Sequence, residues 1–86
     1  MFYVYLIKSK RDNELYTGST NDLRKRLDEH NKGLNRSTKH RIPFELIYYE
    51  AYKSEHDARM REQGLKLRAN ALSKLKRRIR ESLTIN

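Results

Sequence analysis

The first strand-like run of the chain constrains the fold more than any other segment. Residues 2–7 are apolar or aromatic at every position, so both faces of an extended chain would be hydrophobic there. Aromatic and β-branched side chains also favour the extended conformation. The run therefore predicts a strand that is covered on both sides by other elements. It is too short to cross a bilayer and no basic segment precedes it, so we expect neither a membrane span nor a signal peptide.

A hairpin is expected to follow this strand. Residues 9–13 are polar and turn-forming, and residues 14–19 are a second short run with β-type side chains. If the loop holds four residues beginning at Ser9, Tyr5 lies directly opposite Tyr16. The two tyrosines would then share one face of the sheet.

The next segment has the signals of an amphipathic helix. Thr20 or Asn21 can cap its beginning, and Gly33 can end it. Leu23 and Leu27 lie one turn apart and mark its buried stripe. This helix is therefore expected to cover one face of the hairpin.

The remaining elements complete an α+β pattern. A polar, irregular connection over residues 34–43 leads to a third strand, Phe44–Tyr52. Ser54 opens a second helix, and a last amphipathic helix runs roughly from Asn70 to Leu83. The order β-β-α-β-α-α predicts an α/β (α+β) fold in which helices pack on three strands. The length fits a single domain, residues 1–86, with a modest core.

The charge of the chain indicates a nucleic-acid partner. Net charge is +9, and two runs, His30–Arg41 and Gly64–Arg80, contain basic residues and no acid. A solvated, solubilising face is the alternative. A membrane surface is less favoured, because the last helix has no tryptophan or phenylalanine. The residues expected to contact phosphate are Lys32, Arg36, Lys39, Arg41, Lys66, Arg68, Lys74, Lys76, Arg77 and Arg78.

The absence of cysteine limits the kind of site that the chain can build. It excludes a disulfide framework and a thiolate zinc site. It also fits a reducing compartment, so we expect a cytoplasmic protein.

Three polar residues lie where an ordinary core would place apolar ones. Arg26 and His30 are one turn apart, on a helix face that overlaps the leucine stripe. Glu62 lies at the edge of the buried face of the second helix. The structural alternatives are an arginine stem packed along the helix, a histidine that caps its end, and a glutamate paired with a neighbouring base. The functional alternative for Glu62 is a ligand for a hard divalent cation.

An ordered set of motifs resembles the GIY-YIG nuclease superfamily. Tyr3-Val4-Tyr5 and Tyr16-Thr17-Gly18 resemble the two tripeptides that name it. The resemblance continues through residues 21–31, 43–50 and 58–66, and so covers nearly the whole chain. It is greatest to compact stand-alone bacterial members, which are related to the nuclease domain of the excision-repair protein UvrC and to Slx-type structure-selective nucleases.

The resemblance implies a fold and a reaction. The fold is a three-stranded antiparallel sheet flanked by helices. The reaction is metal-dependent hydrolysis of phosphodiester bonds, with Mg²⁺ or Mn²⁺ as the divalent cation. The substrate would be nucleic acid, with DNA favoured over RNA and the choice between them left open, and a protein partner would supply substrate choice. Two departures, Tyr3 in place of glycine and Thr17 in the second tripeptide, fall at positions without a catalytic role.

The resemblance also implies a role for each matching residue. Tyr5 helps to deprotonate the attacking water, Tyr16 shapes the same site, Gly18 allows close approach of backbone and substrate, Arg26 steadies the phosphate, His30 supports the site and Glu62 binds the metal. Two alternatives to the nuclease remain open. One is a nucleic-acid-binding domain with little activity unless partnered, and the other is a small adaptor that binds protein through Phe2 and the tyrosines of the third strand.

Overall fold

The computed structural model describes residues 1–85 and confirms the predicted order of strands and helices. A short 3₁₀ turn, Lys39–Arg41, lies within the connection that was expected to be irregular. The strands and helices are β1 (Phe2–Ser9), β2 (Leu15–Thr20), α1 (Leu23–Asn31), β3 (Phe44–Tyr52), α2 (Glu55–Leu67), α3 (Ala69–Arg78) and α4 (Arg80–Thr84).

The three strands form one antiparallel sheet in the order β2-β1-β3, so the two-faced first strand is central. On one face, Val4 and Leu6 pack with α2 and α3. On the other face, Tyr5 and Ile7 pack against α1 and the start of β3. Burial of apolar surface on both sides is the main stabilising contribution to this sheet. The predicted α+β class and the double-sided first strand are therefore confirmed.

The predicted hairpin register is wrong by two residues. Tyr5 lies opposite Gly18, and Tyr16 lies opposite Ile7. A shift of two residues preserves the face on which each side chain lies, since side chains alternate along a strand. Tyr5 and Tyr16 therefore share a face as predicted, although they are not directly opposite each other.

The register differs because β1 extends one residue further than the turn pattern suggested. Ser9 is fully buried, and its Oγ donates to the Arg41 carbonyl oxygen and accepts from the backbone N–H groups of Arg11 and Asp12. The chain then turns at Asn13, whose φ of 62° is tolerated by asparagine better than by most residues. Because of these contacts, Ser9 is the last residue of β1, and the loop begins after it and not at Ser9 as predicted.

The helix boundaries follow local capping chemistry. The N-cap of α1 is Asp22, which accepts from the Lys25 N–H, so the prediction of Thr20 or Asn21 is wrong. Gly33 follows the helix end with φ of 75°, and Ser54 caps α2, both as predicted. Within residues 1–85, no helix combines the length and apolarity needed to span a membrane.

The apolar stripe had predicted one continuous last helix, roughly from Asn70 to Leu83, and this prediction is wrong. Ile79 leaves the helical conformation, with φ of −112° and ψ of 30°, and separates α3 from α4. Its side chain still packs against the core shared by α2 and α3. The Leu83 carbonyl oxygen then accepts from Lys8 Nζ at 2.9 Å, which ties α4 to the sheet. The stripe runs through the break, so periodicity could not reveal it.

Candidate active site

Tyr5 and Gly18 form the floor of the candidate site. The Tyr5 ring is almost fully buried and lies over the backbone of Gly18 on the neighbouring strand. A Cβ atom at Gly18 would overlap the phenol oxygen and Cζ of Tyr5. The glycine is therefore needed so that the Tyr5 phenol can lie across β2, a closer approach than side chains normally allow.

His30 connects the Tyr5 phenol to the far end of α1. The imidazole is fully buried, with Nε2 2.9 Å from the Tyr5 hydroxyl and Nδ1 2.9 Å from Thr38 Oγ1. Thr38 Oγ1 in turn donates to the Asn35 carbonyl oxygen at 3.5 Å. This contact favours the tautomer in which Nδ1–H donates to Thr38 and Nε2 accepts from the Tyr5 hydroxyl. The alternative of His30 as a helix cap is wrong.

Burial keeps both members of the Tyr5–His30 pair neutral. It lowers the pKa of His30 to about 4, and the nearby Arg26 guanidinium adds to that effect. Burial also raises the pKa of Tyr5, although hydrogen bonding and charge from Arg26 oppose the increase. Near neutral pH the pair is therefore a phenol that donates to an uncharged imidazole.

Arg26 brings a positive charge to the same place. Its Nη1 donates to Glu29 Oε1 at 3.1 Å, and its side chain is 32% exposed. The guanidinium is close enough to the Tyr5 hydroxyl to act on its pKa. The packed-stem alternative accounts for part of this arrangement, but the charged end remains accessible to a ligand.

Tyr16 links the phenol–imidazole pair to the other side of the sheet. Its ring lies edge-on to His30, with centroids 5.1 Å apart. Lys66 Nζ of α2 lies 5.6 Å from the centre of the Tyr16 ring. The edge strand β2 is thus the place where α1 and α2 come together.

Glu62 reaches this edge from α2. Its Oε1 accepts from Ser19 Oγ at 2.6 Å, and its Oε2 lies 2.7 Å from Lys66 Nζ. Burial alone would raise the pKa of Glu62, but the bonds from Lys66 and Ser19 outweigh it and hold the pKa below its usual value. The structural alternative for Glu62, an ion pair with Arg59, Arg61 or Lys66, is confirmed with Lys66 as the partner, and the carboxylate is ionised at neutral pH.

The residues present fit a divalent cation only if the substrate shares in binding it. Residues 1–85 contain no group of three or more acidic or histidine side chains that could hold a metal. Mg²⁺ is commonly bound through one or two carboxylates together with water and substrate phosphates. A carboxylate has about four acceptor positions, so Glu62 retains free ones beside Ser19 and Lys66. Lys66 would compete with the cation for this carboxylate.

The ten basic residues expected to contact phosphate fall into two groups. Three of them are already paired: Lys32 with Asp28, Arg41 with Asp12, and Lys66 with Glu62. The remaining seven have no ion pair within residues 1–85, namely Arg36, Lys39, Arg68, Lys74, Lys76, Arg77 and Arg78. The second group is therefore better placed to meet phosphate.

Two residues of the site were missed from the sequence. Thr38 lies in a polar connection that carried no pattern, yet it is fully buried against His30. Ser19 is an ordinary strand residue whose contact with Glu62 depends on how α2 crosses the sheet. The only local signal was the position of Ser19 directly after Gly18 of the second tripeptide.

The low pKa of His30 predicts a pH-dependent stability. Unfolding restores a pKa near 6.5, so between about pH 6.5 and 4 the unfolded chain binds a proton that the folded chain does not. The free energy of unfolding should fall as pH is lowered through this range, with a slope of up to one proton. Urea titrations should show this slope in a variant carrying His56→Gln, an exposed histidine, and lose it in His30→Gln. A His30 ring that titrates near pH 6.5 in NMR spectra would contradict the assignment.

The fold and this cluster define a type of catalytic domain, one built on a three-stranded sheet with a tyrosine on β1, an arginine on α1 and a glutamate on α2. The model of the GIY-YIG catalytic domain matches residues 1–77, and the chain belongs to this family.

The similar proteins are small bacterial members of the family. The chain is 43% identical over 67 residues to a UPF0213 protein of Clostridium perfringens, covering 77% of this chain and 71% of the relative. It is 42% identical over 76 residues to one from Pediococcus pentosaceus, covering 87% and 78%. The solution NMR structure of a UPF0213 protein from Bacillus halodurans matches with a TM-score of 0.54 and 32% identity, covering 98% of this chain and 95% of that one.

Proposed function

We propose that this chain is a metal-dependent endonuclease that hydrolyses phosphodiester bonds in nucleic acid, DNA rather than RNA, and that residues 1–86 act as one nuclease domain. The observation that carries the proposal is the buried bond from the Tyr5 hydroxyl to a neutral His30, with the Arg26 guanidinium beside it. Membership of a catalytic-domain family supports it. Hydrolysis needs an activated water, charge stabilisation at phosphorus and relief for the leaving oxygen.

Because its pKa is high, Tyr5 keeps its proton at neutral pH and would be a poor general base alone. His30 overcomes this difficulty, since it can take the phenol proton from Tyr5. Because the Tyr5 proton points at Nε2 and one lone pair of the phenol oxygen faces the Arg26 guanidinium, the other lone pair can accept a proton from water. As water gives its proton to Tyr5, the original phenol proton passes to His30, so no free phenolate has to form. Burial is the main cause of the low pKa of His30. A bound phosphate would offset the smaller contribution from the positive charge of Arg26, and the imidazole would then accept a proton more readily.

Arg26 is proposed to hold the phosphate. A guanidinium can donate to two phosphate oxygens in parallel, and such charge-assisted pairs are stronger than neutral hydrogen bonds. In the structure Arg26 is bonded to Glu29, a partly exposed partner on the same helix. A partly exposed i,i+3 pair of this kind contributes little to stability, so exchange of Glu29 for a phosphate costs little.

Glu62, with Ser19 beside it, is proposed to hold Mg²⁺ or Mn²⁺. When bound, such a cation supplies Lewis-acid stabilisation of the charge on the leaving oxygen. The ionised state of Glu62 favours this role. Lys66 has to give up part of its contact with the carboxylate, and it can then contact phosphate instead.

That Lys66–Glu62 pair also favours the second candidate, a nucleic-acid-binding domain that is weakly active until partnered. A partner or substrate that draws Lys66 away would release the carboxylate for the metal. The protein-binding adaptor is less favoured, because Tyr48 and Tyr52 on β3 are committed to Glu50 through their hydroxyls.

Cleavage assays with a matched pair of glutamate variants test the proposal. Branched, flapped and single-stranded DNA, with RNA versions of each, are incubated with the purified chain in Mg²⁺, Mn²⁺ or EDTA. Cleavage is expected with either metal and should be lost in EDTA and in Glu62→Gln. Glu55→Gln is the control, since Glu55 lies on the same helix in an exposed pair with Arg59. Salt-sensitive binding without cleavage would favour the second candidate, and cleavage by Glu62→Gln at the wild-type rate would refute the metal assignment.

A further inference from the structure

We infer that an open basic pocket between α2 and α3 binds the phosphate backbone of a second segment of the substrate. The pocket has a volume of about 660 Å³, and its cationic lining residues are Arg61, Arg68, Lys74 and Arg78. We call it the α2–α3 basic pocket. The inference rests on the proposed function in one respect: it takes the ligand of this protein to be nucleic acid.

The α2–α3 basic pocket lies on the face of the sheet opposite to Tyr5. Arg61 is bonded to Glu50, which is paired with Val4 on β1, and Val4 faces α2 and α3. Tyr5, by contrast, faces α1 and is bonded to His30 there. Side chains alternate across a strand, so neighbours Val4 and Tyr5 mark opposite faces. The pocket is therefore separate from the candidate active site.

The charge of the pocket is strongly one-signed. Arg68, Lys74 and Arg78 are exposed and have no ion pair within residues 1–85. Lys74 and Arg78 are one turn apart on α3, so they project from the same side of that helix. Three cations without acidic partners around one concavity repel one another, and an anion seated among them would relieve this repulsion.

The fourth cationic side chain of the pocket, Arg61, is held in place by Glu50 of β3. Arg61 donates to both carboxylate oxygens of Glu50, with Nε at 2.9 Å and Nη2 at 2.9 Å. Tyr48 and Tyr52 also donate to Glu50, so this carboxylate is fully engaged and its pKa lies below its usual value. In the part of the chain that the structure describes, Glu50 forms an ion pair with Arg61 and with none of the other three cations. The pocket therefore keeps about three unbalanced positive charges, beside an Arg61 side chain that Glu50 holds in place.

The end of α3 adds to the same preference. The helix begins at Ala69, which also lines the pocket, and it has no side-chain cap and no acid in its first turn. Its first N–H groups carry partial positive charge. The cationic side chains and the helix dipole thus both favour an anionic ligand. The pocket is wide and open to solvent, so it fits a stretch of nucleic-acid phosphate backbone better than one enclosed small molecule.

The placement of the pocket narrows the class of substrate. The molecule measures 29 × 26 × 21 Å, and Arg26 and the α2–α3 basic pocket lie on opposite faces of its sheet. A straight duplex that lies along one face is expected to contact only one of the two sites. A branched or flapped nucleic acid is expected to contact both, because a second arm leaves the cleaved segment at an angle. We therefore expect branched substrates to use the pocket and straight duplexes to use it little.

Two double variants with the same change in charge test this inference. One carries Arg68→Gln and Arg78→Gln in the pocket, and the other carries Lys10→Gln and Lys53→Gln, two exposed lysines outside the pocket lining and outside the set expected to contact phosphate. Binding to a flapped DNA and to a straight duplex is measured in EDTA over a range of salt concentrations. The pocket variant should bind the flapped DNA at least about tenfold more weakly than the control variant, and its salt slope should be smaller by roughly 1.8, the value for two lost phosphate contacts. On the straight duplex the two variants should differ little.

Equal losses in the two variants on both DNAs would overturn the inference, because they would show only a general effect of charge. Wild-type affinity of the pocket variant for the flapped DNA would overturn it too. Inorganic phosphate that shifted the NMR signals of Ala69 and Asn70 would then show binding of an adventitious ion only. Thermal melts verify that both variants fold, and Lys74→Glu gives a second route to the same comparison. Since EDTA prevents metal-dependent cleavage, failure of the nuclease proposal would show in the cleavage assay and leave this binding result intact.

Discussion

Replacing Tyr5 with phenylalanine is expected to lower the cleavage rate by at least about 100-fold, the usual minimum for loss of a positioned acid–base group. The substitution removes one oxygen atom and leaves the ring over Gly18 in place. It takes away the atom that accepts the proton from water and the bond to His30 Nε2. A buried acceptor without a donor costs roughly 1–3 kcal/mol, so the variant should fold with a somewhat lower melting temperature.

The matched control is Tyr49→Phe. Tyr49 lies directly opposite Tyr5 on β3 and is 51% exposed. Its hydroxyl has no role in the proposed chemistry, so single-turnover rates should stay at the wild-type level. If Tyr5→Phe cut as fast as Tyr49→Phe, the water-activating role of Tyr5 would be excluded, whatever the stability of the two proteins.

Gly18→Ala is expected to damage both stability and activity. The added methyl group would overlap the Tyr5 phenol, which is enclosed by the sheet and His30. Overpacking of this kind typically costs about 1–3 kcal/mol. For a domain of this size, each kcal/mol lowers the melting temperature by roughly 4–8 °C. Relief by displacing the phenol would move the proposed base by about 1 Å, which can reduce a rate about 100-fold.

Gly64→Ala is the control for the same chemical change. Gly64 lies within α2, and a Cβ there meets no atom within 4 Å. Alanine is better than glycine in a helix interior by about 1 kcal/mol, so this variant should be more stable than the wild type and equally active. Calorimetry and single-turnover cleavage on both variants separate the overlap at Gly18 from any general effect of adding a methyl group. Unchanged stability and rate in Gly18→Ala would contradict the described packing of Tyr5.

Much of the fold was accessible from the sequence because its elements carry local signals. The two-faced run of β1, the capping serine at Ser54 and the glycine at Gly33 each act within a few residues, and each prediction is confirmed. The register was wrong because it depends on the burial of Ser9 by the distant Arg41 carbonyl. The break at Ile79 was missed because the apolar stripe continues through it.

In the candidate site too, the residues with local signals could be predicted and the contacts between distant segments could not. Residue types and the family resemblance indicated Tyr5, Arg26, His30 and Glu62. The structure groups the first three on the α1 face of the sheet and places Glu62 beside the edge strand β2, on the side of α2. The partners that orient them could not be predicted. Thr38 fixes the tautomer of His30 from a segment without periodicity, and such contacts between distant segments leave no pattern in a single sequence.

The proposal that this cluster cuts nucleic acid is tested most directly by the single-turnover cleavage rate of Arg26→Ala beside Arg24→Ala. Both arginines lie on α1, and Arg24 is exposed and outside the cluster. On a flapped DNA in Mg²⁺, Arg24→Ala should cut close to the wild-type rate. Arg26→Ala should be slower by about 100-fold or more, the usual cost of removing one donor that stabilises transition-state charge. Equal rates in the two variants would contradict the assignment of catalysis to this site.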